Sequence, residues 1–92
     1  MRVRWLRVAL ENLEAEYIAA ENALAAAEVV AAVQQSVSRL AKYPAMGRPG
    51  RVMGTRELVV PGTPYIIPYR VRGGTVQILR VFHAKRKWPP RV

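Results

Sequence analysis

Few side chains in this sequence can do chemistry, and those that can crowd into its second half. Glu57 and His83 could each pass a proton, and Arg56, Arg70, Lys85 and Arg86 supply positive charge around them. Such a set suits metal-free attack of a 2′-hydroxyl on an RNA phosphodiester. One group would help the hydroxyl lose its proton, cations would stabilise the charge developing on phosphorus, and a further acid would protonate the leaving oxygen. Tyr65 and Tyr69 could stack a base. Composition alone therefore admits an enzyme. It does not admit a metal centre, because the chain has no cysteine, no aspartate and a single histidine to build a shell. No cofactor fingerprint is present, and Gly47-Arg48-Pro49-Gly50 reads as a turn.

Each of these residues also has a plainer role. A lone histidine at a strand end is more often a hydrogen-bonded structural residue than a base. The loop arginines Arg48 and Arg51 and the tail basics could be ordinary solvated charge. As a set they are harder to dismiss. Residues 1–40 carry four arginines against five glutamates, a net charge of −1, whereas residues 41–92 carry eleven Lys and Arg against Glu57 alone, a net charge of +10. So lopsided a field points to an acidic partner, either nucleic acid or an acidic protein segment.

The elements that must position these residues are legible. Ninety-two residues make one domain with one modest core. Residues 2–6 alternate, with Val3 and Trp5 facing opposite Arg2 and Arg4, as in a half-buried strand. Residues 8–42 lack Gly and Pro and read as helix, broken near Asn22, whose side chain can cap a second helix. Leu10, Leu13, Tyr17 and Leu24 follow helical spacing in the first part, and Val30, Val33, Val37 and Leu40 in the second. These stripes are expected to be core or partner surface. Pro44 ends the helical region, and a basic loop runs to Gly54. Arg56–Val60 and Tyr65–Arg72 are expected strands, and Gly73-Gly74 is a two-residue hairpin turn.

That turn sets a register in which paired residue numbers sum to 147. It places Tyr65, Ile67, Tyr69 and Val71 across from Phe82, Arg80, Ile78 and Val76 on a core face. Arg80 is the odd member there, expected to stack on Tyr65 or Phe82 or to pair with Glu57. His83 falls on the opposite, mixed face. Pro68 cannot donate to a ladder, so a bulge or a missing bond is expected beside it. The fold class is α+β, in the order β-α-α-β-β-β, with a helical hairpin on one side of a mainly antiparallel sheet. No signal peptide or membrane span is read, and a cysteine-free chain fits a cytoplasmic location.

This order of elements resembles the RelE/ParE superfamily of bacterial toxins. The resemblance is carried by Tyr43-Pro44, Gly47-Arg48-Pro49-Gly50, Arg56-Glu57-Leu58, Tyr65-Ile66-Ile67, Tyr69-Arg70-Val71 and Val81-Phe82-His83-Ala84-Lys85-Arg86. The ending RVFHAKRKWP looks like the ParE branch. The resemblance implies a toxin neutralised by a cognate ParD-like antitoxin with an acidic C-terminal segment. It also implies a target: DNA gyrase for ParE-like toxins, mRNA on the ribosome for RelE-like ones. RelE-like nucleases resemble one another in a basic residue at the end of the second strand and a Tyr or His near the C-terminus. Here those places hold Val59-Val60-Pro61 and, after Arg86, only Lys87, Trp88, two prolines, Arg91 and Val92.

The sequence therefore reads as a toxin acting by binding, with no catalytic residue favoured and gyrase as the expected target. Arg56, Arg70, Lys85, Arg86 and Trp88 are the expected contacts to target or antitoxin. The alternatives are a metal-free endoribonuclease using Arg56, Glu57, His83 and Arg86, and a detoxified homologue that only binds antitoxin.

Overall fold

A computed structural model describes residues 1–85. The chain opens with strand β1 (Arg2–Trp5), then helices α1 (Arg7–Ala19) and α2 (Ala23–Ser38), which runs on into a 3-10 turn at Arg39–Ala41. The helix break falls where expected, and Asn22 caps α2 by accepting a hydrogen bond from the Ala25 amide at 2.8 Å. The remaining elements are β2 (Arg48–Pro49), β3 (Arg56–Val59), β4 (Tyr65–Arg72), β5 (Thr75–Ile78) and β6 (Phe82–His83). β2 is an addition to the expected set: two residues of the basic loop pair antiparallel with Arg56 and Glu57.

The strands form one sheet in the order β1-β5-β4-β3-β2, with β6 alongside the start of β4. All pairings are antiparallel except β1 with β5, which is parallel. The helical hairpin packs on one face of this sheet. Ala9, Leu13, Val33, Val37 and Leu40 meet Leu58, Val60, Tyr65, Ile67, Tyr69, Val76, Ile78 and Val81 in a single core, with Val3 and Trp5 packed at its margin. The face turned away from the helices is called the outer face below.

The hairpin register holds only in part. Gly73 and Gly74 both take positive φ, as the two-residue turn requires, and Tyr69–Arg72 pair with Ile78–Thr75 on the expected sum. Beyond Pro68 the pairing slips by one, so that Ile66 faces Phe82 and Tyr65 faces His83. The extra residue lies in the segment from Leu79 to Val81. Leu79 still donates to the Pro68 carbonyl at 3.0 Å, whereas Val81 turns into the core and gives its amide to Asn12 Oδ1 at 3.1 Å. Two expectations change with this bulge. Arg80 leaves the core face and sits half-buried in the bulge, while Glu57 is taken up by Arg48 and Arg51. His83 moves to the helix side of the sheet, against the ring of Tyr65.

The first helix is also turned from its expected face. Leu13 is buried, but Leu10, Tyr17 and Leu24 are exposed. The buried stripe of α1 runs through Ala9, Leu13 and Glu16. A carboxylate can occupy such a stripe because the Tyr65 hydroxyl donates to Glu16 Oε2 at 3.3 Å. Among the described residues no helix is long and apolar enough to cross a membrane.

Candidate functional site

The basic loop between the helices and β3 is held to the sheet by a phenol and a carboxylate. Tyr69 is fully buried, and its hydroxyl donates to the Pro44 carbonyl at 2.7 Å and accepts from the Gly47 amide at 2.9 Å. A Cβ added at Gly47 would lie 2.6 Å from the Tyr69 ring and hydroxyl, so the close approach needs glycine there. Burial pushes the Tyr69 phenol above its ordinary range, and the Gly47 amide and the Arg56 charge oppose that shift only partly. Arg56 lies across from Tyr69 and donates to the Gly47 carbonyl at 2.8 Å.

Glu57 points the other way, to the outer face, and is only 4 % exposed. Its Oε1 accepts from Nε and Nη2 of Arg48 at 3.2 and 3.1 Å, and its Oε2 accepts from the Arg51 amide at 3.0 Å. The Arg51 guanidinium stands 3.8 Å from the same oxygen. Two cations and an amide thus occupy this carboxylate. Chemically it is a clamp on residues 48–51, with both oxygens engaged by the loop.

His83 is placed elsewhere. Its ring meets that of Tyr65 edge-on, with centroids 5.8 Å apart, and its Nδ1 accepts from the Lys85 amide at 3.2 Å. Tyr65 and His83 line, with Glu16, Ala20 and Val29, a small pocket of about 290 Å³ on the helix side. Glu57 and His83 therefore belong to opposite faces of the sheet, and no composite acid–base site brings them together. Arg56 faces the loop. Arg70 lies half-buried on the outer face, its Nε donating to Gln77 Oε1 at 2.7 Å, and Lys85 is exposed beside His83. Arg86 and Trp88 fall outside the described residues. Among those residues no cluster of three His, Cys, Asp or Glu could hold a metal.

Three features escaped the sequence reading. Gly47 and Tyr69 were both in conspicuous motifs, but nothing local says that they touch. Glu16 sat unremarked in an apolar stripe. The alternation of Arg2 and Arg4 on β1 was visible, but its continuation onto Arg70 and Arg72 depends on which strand lies beside β1.

A second opening, a groove of about 420 Å³, runs between α2 and the β3–β4 turn. Ala25, Val29, Ala32, Pro61, Pro64 and Tyr65 give it apolar walls. Ile18 and Leu24, 72 % and 70 % exposed, project near the tip of the same helical hairpin. The arrangement suits a protein partner with apolar anchors.

The chain is similar to known proteins in both sequence and shape. Protein Y4kP of Sinorhizobium fredii is 50% identical over 90 residues, covering 96% of this chain and 93% of its own. Toxin RelE2 of Caulobacter vibrioides is 37% identical over 87 residues, covering 92% of this chain and 97% of its own. In the chromosomal ParDE system from P. aeruginosa, one chain superposes with a TM-score of 0.82 at 30% identity, over 92% of this chain and 97% of that one. A chain of the toxin–antitoxin complex RelBE2 from Mycobacterium tuberculosis gives 0.68 at 30% identity, over 89% and 95% respectively. The family described as the ParE toxin of the type II toxin-antitoxin system parDE matches residues 3–88. With nearly its whole length accounted for, this chain belongs to the ParE toxin family, within the RelE/ParE superfamily.

Proposed function

We propose that this toxin acts by binding DNA gyrase, trapping its cleaved-DNA state, and performs no bond chemistry of its own. The observation that carries this reading is the separation of Glu57 from His83. The carboxylate is consumed by Arg48 and Arg51 on the outer face, and the imidazole stands against Tyr65 on the other. A metal-free nuclease would need its proton-transfer groups converging on one phosphate. Arg56, Arg70, Lys85, Arg86 and Trp88 are the proposed contacts, with the C-terminal tail directed to gyrase.

A ParD-like antitoxin is the proposed neutralising partner. Apolar residues of such a segment fit the groove along α2, and its acidic end would meet the basic half of the toxin, where Glu57 is the one acidic side chain. The solved relatives, ParDE and RelBE2, are toxin–antitoxin systems, which supports a partner of this kind.

The test is a gyrase supercoiling and DNA-cleavage assay with antitoxin-free protein and ATP at two salt concentrations. Inhibition with trapped cleaved DNA at the higher salt is expected, and His83→Gln should leave it intact. Folded, growth-inhibiting protein without effect on gyrase would move the reading to ribosomal mRNA cleavage. Protein that does not slow growth at all would point to a detoxified homologue.

A further inference from the structure

The parallel pairing of β1 with β5 does more than close the core. It brings Arg2 across from Thr75 and Arg4 across from Gln77, and β5 in turn sets Thr75 across from Arg72 and Gln77 across from Arg70. Register partners share a face. Val3 and Trp5 point to the helices with Val76 and Ile78, so Arg2, Arg4, Arg70 and Arg72 all stand on the outer face. They mark the corners of a patch roughly 7 Å along the strands and 10 Å across them, taking standard strand spacings. Arg2, Arg4 and Arg72 are exposed, and Arg70 is steadied by Gln77. Among the described residues none of the four makes an ion pair.

We propose that these four arginines form a phosphate-binding face that grips the backbone of duplex DNA. Guanidinium groups match phosphate oxygens in pairs, and a fixed rectangle of four presets their spacing. The residues between them, Thr75 and Gln77, are polar. Among the described residues no ring stands between them to stack an unpaired base, which separates this face from the platforms that hold single strands. Among the described residues no apolar anchor stands there either, and a peptide partner needs one. The apolar groove along α2 lies on the other side of the sheet. That side also carries Glu11, Glu14, Glu21 and Glu28, all exposed, so among the described residues the acid groups with the helices and the four arginines stand opposite. A polyanion would orient it with the helices pointing away. Under the gyrase-directed reading, on which this proposal rests for its source of DNA, the duplex is the segment that the topoisomerase holds.

The test is fluorescence anisotropy of the antitoxin-free full chain with a short labelled duplex, titrated over a range of salt. The triple variant Arg2→Ala, Arg4→Ala, Arg72→Ala changes only exposed side chains, and circular dichroism would check its fold. We expect its affinity to fall at least about tenfold and the salt slope to shrink by about two to three. Arg39→Ala, an exposed arginine beside the helices, should change the slope by no more than about one. Lysine at the three positions should restore the slope but not the full affinity.

Equal losses from the triple variant and Arg39→Ala, or no loss, would overturn the proposal by making the binding diffuse or seated in the tail. Tighter binding to polyglutamate or to a single strand of equal charge would overturn it in favour of those partners. The same variants assayed on gyrase separate the two readings. Wild type that leaves gyrase untouched while the patch still governs duplex binding would sink only the gyrase reading. Equal gyrase poisoning by wild type and a triple variant unchanged in duplex binding would sink only the phosphate face.

Discussion

Arginine is treated in opposite ways at the two edges of the outer face. At the β2–β3 edge, Arg48 and Arg51 close on a carboxylate that is almost wholly buried. Toward the β1 edge, from β4 outward, Arg2, Arg4 and Arg72 stand in solvent, and Arg70 leans on an amide. In a sequence count of positive charge each of these six arginines weighs the same. Among the described residues only the β2–β3 side meets a carboxylate. A strongly basic composition thus divides into a part that builds the loop and a part left over for a partner, and only the placement of the acid tells them apart.

The largest effect that would break this contrast is at Glu57. Replacing it with alanine should cost about 3 kcal/mol in urea unfolding, because two guanidinium groups and the Arg51 amide lose their acceptor. Both arginines are half exposed, which keeps the cost below that of a fully buried pair. Glu57→Gln should cost less, since an amide oxygen can still accept from Arg51. A loss under 1 kcal/mol for the alanine variant would mean that the clamp is as idle as the open edge.

The phenol beneath the loop comes next. Tyr69→Phe should cost about 2 kcal/mol by orphaning the Gly47 amide and the Pro44 carbonyl. Gly47→Ala should cost about 1–3 kcal/mol through overpacking against the same ring. The two losses should sum to more than the double variant shows, because removing the hydroxyl makes room for the new methyl. Strict additivity in that double-mutant cycle would rule out a direct contact.

Tyr69 also makes a pH signature. Its folded phenol titrates above the unfolded value, so its contribution is fully present below about pH 10 and is lost as pH rises through the folded value. Stability should therefore fall in strong alkali, and Tyr69→Phe should flatten that fall. An unchanged alkaline limb in the variant would assign the loss to other groups.

The smallest expected effect is at the open edge. Arg2→Ala, Arg4→Ala and Arg72→Ala should each shift thermal stability by no more than about 0.5 kcal/mol. A larger loss from any of them would show that the open edge, too, is spent on the fold.

What could be read from the sequence was whatever its own neighbourhood decides. Asn22 caps a helix three residues on, and two glycines fix a two-residue turn, so the helix break and the register of Tyr69–Arg72 followed directly. What failed was decided at long range. The bulge at Leu79–Val81 depends on Asn12, 69 residues away, and it carried Arg80 and His83 off their expected faces. Glu16 could be placed in the core only by knowing that Tyr65 waits there. Glu57 and Arg56 are adjacent in the chain, yet alternation sends them to opposite sides of the sheet, one to a clamp and the other to a loop carbonyl.

The parallel strand at the sheet edge has a consequence for the order in which the protein comes to exist. β1 precedes its partner β5 in synthesis by more than seventy residues. Pairings of such long separation close late in folding, after the local hairpin and helices have formed. The arginine patch straddles that last seam, half of it from the first strand and half from β4. A chain that has already folded its helices would still lack it, and the basic surface would be complete only once β5 has docked beside β1.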